Sequence, residues 1–225
     1  MSFSDELKEY LLSQGASDAG FFSCDDGPFP CGVSVVVRLS PAIVGEIDGE
    51  PTYTYFNHYR TVNAYIDRLL LSAGLFLQKA GYSYITVAAS QSINKNGWNY
   101  SGRYSHKKGA CLAGLGSIGK NSLFIHKEFG SLVRLGTVFT DCPLETGEEC
   151  VADLCGECGI CAAACPAGAI SGEPFREGIR REEMFDAEKC SEYMKHAFQH
   201  IGRGAVCGIC MKVCPLNGLD KTGRD

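Results

Sequence analysis

Apolar positions recur along this chain with two different periods, and each period marks a different element. Residues 4–14 are expected to form a helix. Gly32-Val33-Ser34-Val35-Val36-Val37 is a β-branched run of strand length. Phe56, Tyr59, Ile66, Leu69, Leu70, Ala73, Leu77 and Ala80 recur at helical spacing, and Gly81 stands where a C-terminal glycine cap belongs. Residues 82–88 read as a strand. Residues 122–126 and 132–140 read as two more, joined through 127–131 as a hairpin. Helices and strands mix without a regular βαβ alternation, which predicts the α+β class.

Composition adds a core and a compartment. The 225 residues are 45% hydrophobic and 21% charged, enough apolar surface for a packed interior and too much for a disordered or collagen-like chain. The net charge of −5 gives no global basic field for nucleic acid or an anionic membrane. Lys95, Arg103, Lys107, Lys108, Lys120, Lys127 and Arg134 nevertheless face only Glu128 within 95–134, a cationic stretch in an otherwise acidic chain. The acidic N-terminus lacks the basic start and apolar core of a signal peptide, and no apolar run approaches the ~20 residues that span a bilayer. The expectation is a cytoplasmic protein with no membrane partner.

Cysteine changes the picture most. Thirteen occur, an odd number, and an intracellular chain with that count is better read as metal-ligating than as a disulfide scaffold. Nine of the 13 lie after residue 149, which suggests one domain over 1–145 and a second over 146–225. Cys155-Gly-Glu-Cys158-Gly-Ile-Cys161-Ala-Ala-Ala-Cys165-Pro166 has the C-x2-C-x2-C-x3-C-P spacing of bacterial ferredoxins. Three thiolates on one curled loop reach three irons of one cubane, while the fourth points to a neighbouring cluster. Zinc is the alternative, but three cysteines within seven residues crowd a single tetrahedral ion. Cys207-Gly-Ile-Cys210-Met-Lys-Val-Cys214-Pro215 repeats the pattern one ligand short.

The crossing rule then assigns Cys155, Cys158, Cys161 and Cys214 to one 4Fe–4S cluster. Cys165, Cys207 and Cys210 take Cys190, the one cysteine between the motifs, for the second. Cys24, Cys31, Cys111, Cys142 and Cys150 remain as core thiols.

Gly114-Leu-Gly116-Ser-Ile-Gly119-Lys120-Asn121 matches G-x-G-x-x-G. A phosphate loop needs a strand before and a helix after, and the order here is the reverse. The same segment, with Val133-Arg134-Leu135 and Thr140-Asp141-Cys142-Pro143-Leu144 and the double motif, resembles epoxyqueuosine reductases and the core of reductive dehalogenases over about 105–215. The resemblance implies a nitroreductase-like domain binding cobalamin, then a ferredoxin-like domain with two 4Fe–4S clusters that feed electrons to cobalt for reductive C–O or C–halogen cleavage. It also implies a ferredoxin- or flavodoxin-type redox partner and a small-molecule substrate. Transfer RNA is not expected, because only eleven residues follow Cys214.

Gly114, Gly116, Gly119, Lys120, Asn121 and Arg134 are the candidate corrinoid contacts, since a macrocycle with an anionic tail suits small residues beside positive charge. The acidic proton donor of epoxyqueuosine reductases has no counterpart in 95–127, which holds no Asp or Glu. Tyr100 or Tyr104 could replace it, with Lys107, Lys108 or Lys120 lowering the phenol pKa. The competing function is a ferredoxin-like electron carrier without corrinoid or substrate.

Overall fold

The computed structural model describes residues 2–93, 100–148 and 153–217. Lys95 and Cys150 lie outside them. The elements run α1 (Phe3–Ser13), β1 (Asp18–Ser23), β2 (Cys31–Arg38), α2 (Pro41–Gly45), α3 (Tyr53–Lys79), β3 (Tyr84–Val87), α4 (His106–Leu112), β4 (Gly116–Ile118), β5 (Phe124–His126) and β6 (Val133–Thr140). Four short helices follow: α5 (Ile160–Ala163), α6 (Arg181–Met184), α7 (Ala187–Ala197) and α8 (Ile209–Lys212). Helices and strands are mixed as expected.

The chain divides into two compact units, and they interleave. Met1–Arg38, Thr61–Gly116 and Arg134–Cys150 make the first; Leu39–Arg60, Ser117–Val133 and Val151–Asp225 make the second. This differs from a single cut at residue 145, because two segments from the first half of the chain pack with the cysteine motifs.

The first unit is built on a four-stranded sheet in the order β1-β2-β6-β3. β1 and β2 are antiparallel with Asp18 opposite Val36, and β3 and β6 are antiparallel with Tyr84 opposite Thr140. The β-branched run of β2 supplies Val33, Val35 and Val36, all without exposed surface. Ile66, Leu70, Ala73 and Leu77 form the buried stripe of α3 at helical spacing. That stripe lies on β6, where a Cβ at Gly136 would sit 2.5 Å from Ile66 Cγ2. α3 ends as its sequence predicts: Gly81 adopts φ 92°, and the Tyr82 N–H reaches back to the Leu77 carbonyl at 3.0 Å. α1 opens with a capping box between Ser2 and Asp5, and its Tyr10 stacks on Phe76 of α3.

The expected hairpin of 122–126 with 132–140 does not form. β5 pairs with β4 instead, and β6 enters the four-stranded sheet between β2 and β3. The Gly119–Leu123 turn, with Ser122 at φ 57°, folds β5 back on β4. Beyond β5 the chain keeps one bridge, His126 to Gly130, whose loop is closed by the His126 Nδ1 accepting from the Glu128 and Phe129 N–H groups. Among the described residues no helix is long and apolar enough to cross a membrane.

Candidate metal centre

The second unit carries the cysteine motifs on turns and single-turn helices. Cys158 N–H closes on the Cys155 carbonyl at 2.9 Å, with Gly156 at φ 47°, a backbone region that glycine enters without strain. Asp153 Oδ1 accepts from the Cys155 and Gly156 N–H groups at 2.9 and 3.2 Å and holds the loop from outside. Cys161 then falls in α5 and Cys210 in α8. Gly208 enters α8 at φ 84°, where a Cβ would press on Ile47 and Tyr55 at 2.8 Å.

Cys155, Cys158, Cys161 and Cys214 line one cavity of about 140 Å³, with apolar walls from Ile125, Leu154 and Leu216. Burial pushes the Cys161 thiol up, and Cys155, Cys214 and Cys158 push it further as nearby like charges. Burial also raises Cys214, against the opposing pull of Ser131. The other cysteines are coupled mainly to one another, with Cys161 also acting on Cys210. Cys190 is pushed up to about 11 by burial first and then by Cys207 and Cys165. Cys210 is pushed up to about 12 by burial and then by Cys207, Cys190 and Cys165. The Ala169 N–H points at Cys165 Sγ at 3.4 Å.

Such thiols stay protonated at neutral pH unless bound cations offset the thiolates, so the donor set suits a metal centre. Among the described residues no three His, Cys, Asp or Glu side chains converge closely enough to share one ion. Four thiolates spread around a cavity suit a cubane, where each binds a different iron.

Residues far away in sequence brace these loops. Lys120 Nζ donates to the Gly156 carbonyl at 2.6 Å, and Asn121 Nδ2 to the Cys210 carbonyl at 3.3 Å. Asn217 is buried; its Oδ1 accepts from the Ser131 N–H and hydroxyl at 2.8 Å each, and its Nδ2 donates to the Met211 carbonyl at 2.6 Å. Asp153, Ser131 and Asn217 were not among the sequence candidates. Only Asp153, two residues before a ligand, carries a local signal.

The candidate corrinoid contacts are otherwise engaged. A Cβ at Gly114 would meet the Glu148 carbonyl oxygen at 2.5 Å, and one at Gly119 would meet Ile125 Cγ1 at 2.9 Å. Both glycines are packed against the chain's own atoms. Gly116 opens β4, Arg134 Nε donates to Asn63 Oδ1 at 2.8 Å, and Lys120 and Asn121 hold the cysteine loops.

The two candidate tyrosines stand in different surroundings. Tyr104 stacks on Phe22 and meets Phe139 edge-on, and its hydroxyl lies 3.6 Å from Cys24 Sγ. Burial drives its phenol pKa far up, and the Cys24 thiol adds to the rise. Lys108 does not lower it, because its ammonium pairs with Asp26 at 2.6 Å. Tyr100 is half-buried at φ 53°. Cys24, Cys111 and Cys142 are buried as expected, while Cys31 is half-buried.

The class defined by this arrangement is met by comparison with known proteins. Residues 154–217 match the 4Fe-4S double cluster binding domain. Over about half of its length the chain is similar to epoxyqueuosine reductases and reductive dehalogenases. It is 33% identical over 126 residues to an epoxyqueuosine reductase of Cyclobacterium marinum, covering 52% of this chain and 38% of that one. It is 30% identical over 131 residues to a tetrachloroethene reductive dehalogenase of Desulfitobacterium hafniense, covering 52% and 23%. Its fold matches a reductive dehalogenase whose structure suggests a mechanism for B12-dependent dehalogenation, with a TM-score of 0.71 at 19% identity over 94% of this chain and 30% of that one. The chain thus matches well under half the length of each.

Proposed function

We propose that this chain is a two-cluster electron-transfer module of an epoxyqueuosine reductase-like iron–sulfur oxidoreductase. The observation that supports the reading is the cavity lined by Cys155, Cys158, Cys161 and Cys214, with Cys190 and Cys210 electrostatically coupled to Cys165 and Cys207. Cys155, Cys158, Cys161 and Cys214 hold one cluster; Cys165, Cys190, Cys207 and Cys210 hold the other. When bound, the clusters supply one-electron storage and transfer. The chain's own part is to fix the thiolates, keep apolar walls around them and aim the Ala169 N–H at a ligand sulfur. Anaerobic reconstitution is expected to give about eight irons and eight sulfides per chain. Cys190→Ala should leave the first cluster and remove the second, so that iron falls to about half. Zinc loading, or about four irons in the unaltered chain, overturns the reading.

A second reading carries the electrons on to a cobalamin-type centre for reductive C–O or C–halogen cleavage. The likeness to reductive dehalogenases favours it. Equilibrium dialysis of the reconstituted chain with cobalamin tests this reading. Saturable binding supports it, and no binding leaves an electron carrier that serves a ferredoxin- or flavodoxin-type partner.

A further inference from the structure

We propose that Lys120 is a positioning residue that raises the reduction potential of the first cluster, with Asp153 as its opposing charge. The inference rests on the two-cluster reading. Between Cys155 and Cys158 the loop is gripped from two sides. The Lys120 ammonium sits 2.6 Å from the Gly156 carbonyl oxygen, and the Asp153 carboxylate takes the N–H groups of Cys155 and Gly156 at 2.9 and 3.2 Å. One carbonyl and two amides of the same loop therefore carry a cation and an anion at opposite ends.

Reducing a thiolate-ligated cubane adds negative charge to a centre that is already anionic. A fixed cation nearby favours the reduced form and raises the potential, and a fixed anion lowers it. Lys120 is half-buried and Asp153 exposed, so water screens the carboxylate more and the lysine has the larger effect. The second set has its own lysine, Lys189, whose Nζ donates to the Gly168 carbonyl on the Cys165 loop at 3.2 Å, so each set carries one such cation and Lys120 serves the first. Asn121, the next residue after Lys120, reaches the second set's loop at the Cys210 carbonyl with a neutral amide. Two consecutive residues thus brace the two loops, and only one brings charge.

The test is a redox titration of the anaerobically reconstituted full chain, following each cluster by electron paramagnetic resonance. At the unaltered first midpoint, Lys120→Gln should shift the oxidised-to-reduced ratio of that cluster about tenfold toward oxidised, about 59 mV for one electron. Lys120→Arg should leave it in place. Asp153→Asn keeps an acceptor for both N–H groups and should move the midpoint the opposite way by less. The second midpoint should stay put throughout. If Lys120→Gln fails to hold its cluster, the sign of the Asp153→Asn shift decides. Both clusters present with an unmoved first midpoint, or both variants shifting in one direction, overturns the proposal. Absence of cubanes in the unaltered chain overturns the two-cluster reading instead.

Discussion

His106 shows how one enclosed side chain ties stability to pH. Its Nδ1 lies 2.8 Å from Thr137 Oγ1 and its Nε2 3.1 Å from the Ala88 carbonyl. Burial holds its pKa below the ordinary histidine value, with Arg134 adding to the effect and the Ala88 carbonyl opposing it. The folded ring stays neutral where the unfolded ring, titrating near 6.5, takes a proton. The unfolded state then binds more protons, so stability is constant above that value and falls as pH drops below it. His106→Gln should flatten the fall, read as the difference in urea midpoint between about pH 7.5 and about pH 5.5. At the cluster loops the comparable residue is Asn217. Removing it in Asn217→Ala strands the buried Ser131 N–H, while the Met211 carbonyl keeps the Ser131 hydroxyl at 3.3 Å, at a cost of about 1–3 kcal/mol in denaturation of the reconstituted chain.

At the scale of elements, α3 on β6 sets the packing of the first unit. A glycine within a strand ordinarily weakens it, and alanine would be the better residue. Gly136 is an exception because a Cβ there would stand 2.5 Å from Ile66 and 3.0 Å from Leu70, both fully buried and unable to give way. Gly136→Ala should therefore destabilise the chain by about 1–3 kcal/mol, measured by thermal denaturation. α3, β2 and the glycine cap at Gly81 were legible because period, β-branching and capping are local. β1 was missed, since Asp18-Ala19-Gly20-Phe21-Phe22-Ser23 has no alternation and is buried over four consecutive residues. The β5–β6 pairing was misread because strand propensity does not name a partner. The double-cluster motifs were legible because ligation forces short spacings, whereas Lys120 and Asn121 act on loops 36 and 89 residues away.

Interleaving governs the whole molecule and decides what a fragment can do. The sequence suggests that residues 146–225, with every motif cysteine, should stand alone as a ferredoxin-like domain. The second unit also needs Leu39–Arg60 and Ser117–Val133. Ile47 and Tyr55 abut Gly208 at the start of α8, and the Tyr55 hydroxyl reaches Met211 Sδ at 3.8 Å. Lys120 and Asn121 hold one loop each, and Ser131 completes the pair with Asn217. The cysteine loops themselves contain only single-turn helices, α5 and α8, which cannot persist without tertiary support. A fragment of residues 146–225 loses all of that support and retains every ligand. It should take up iron below the full chain's content under the same reconstitution, and its amides should exchange without protection. Iron content and hydrogen exchange measured side by side give the answer. A fragment with the full chain's iron and protected amides would mean that the ligands organise the unit and the interleaved segments only cover it.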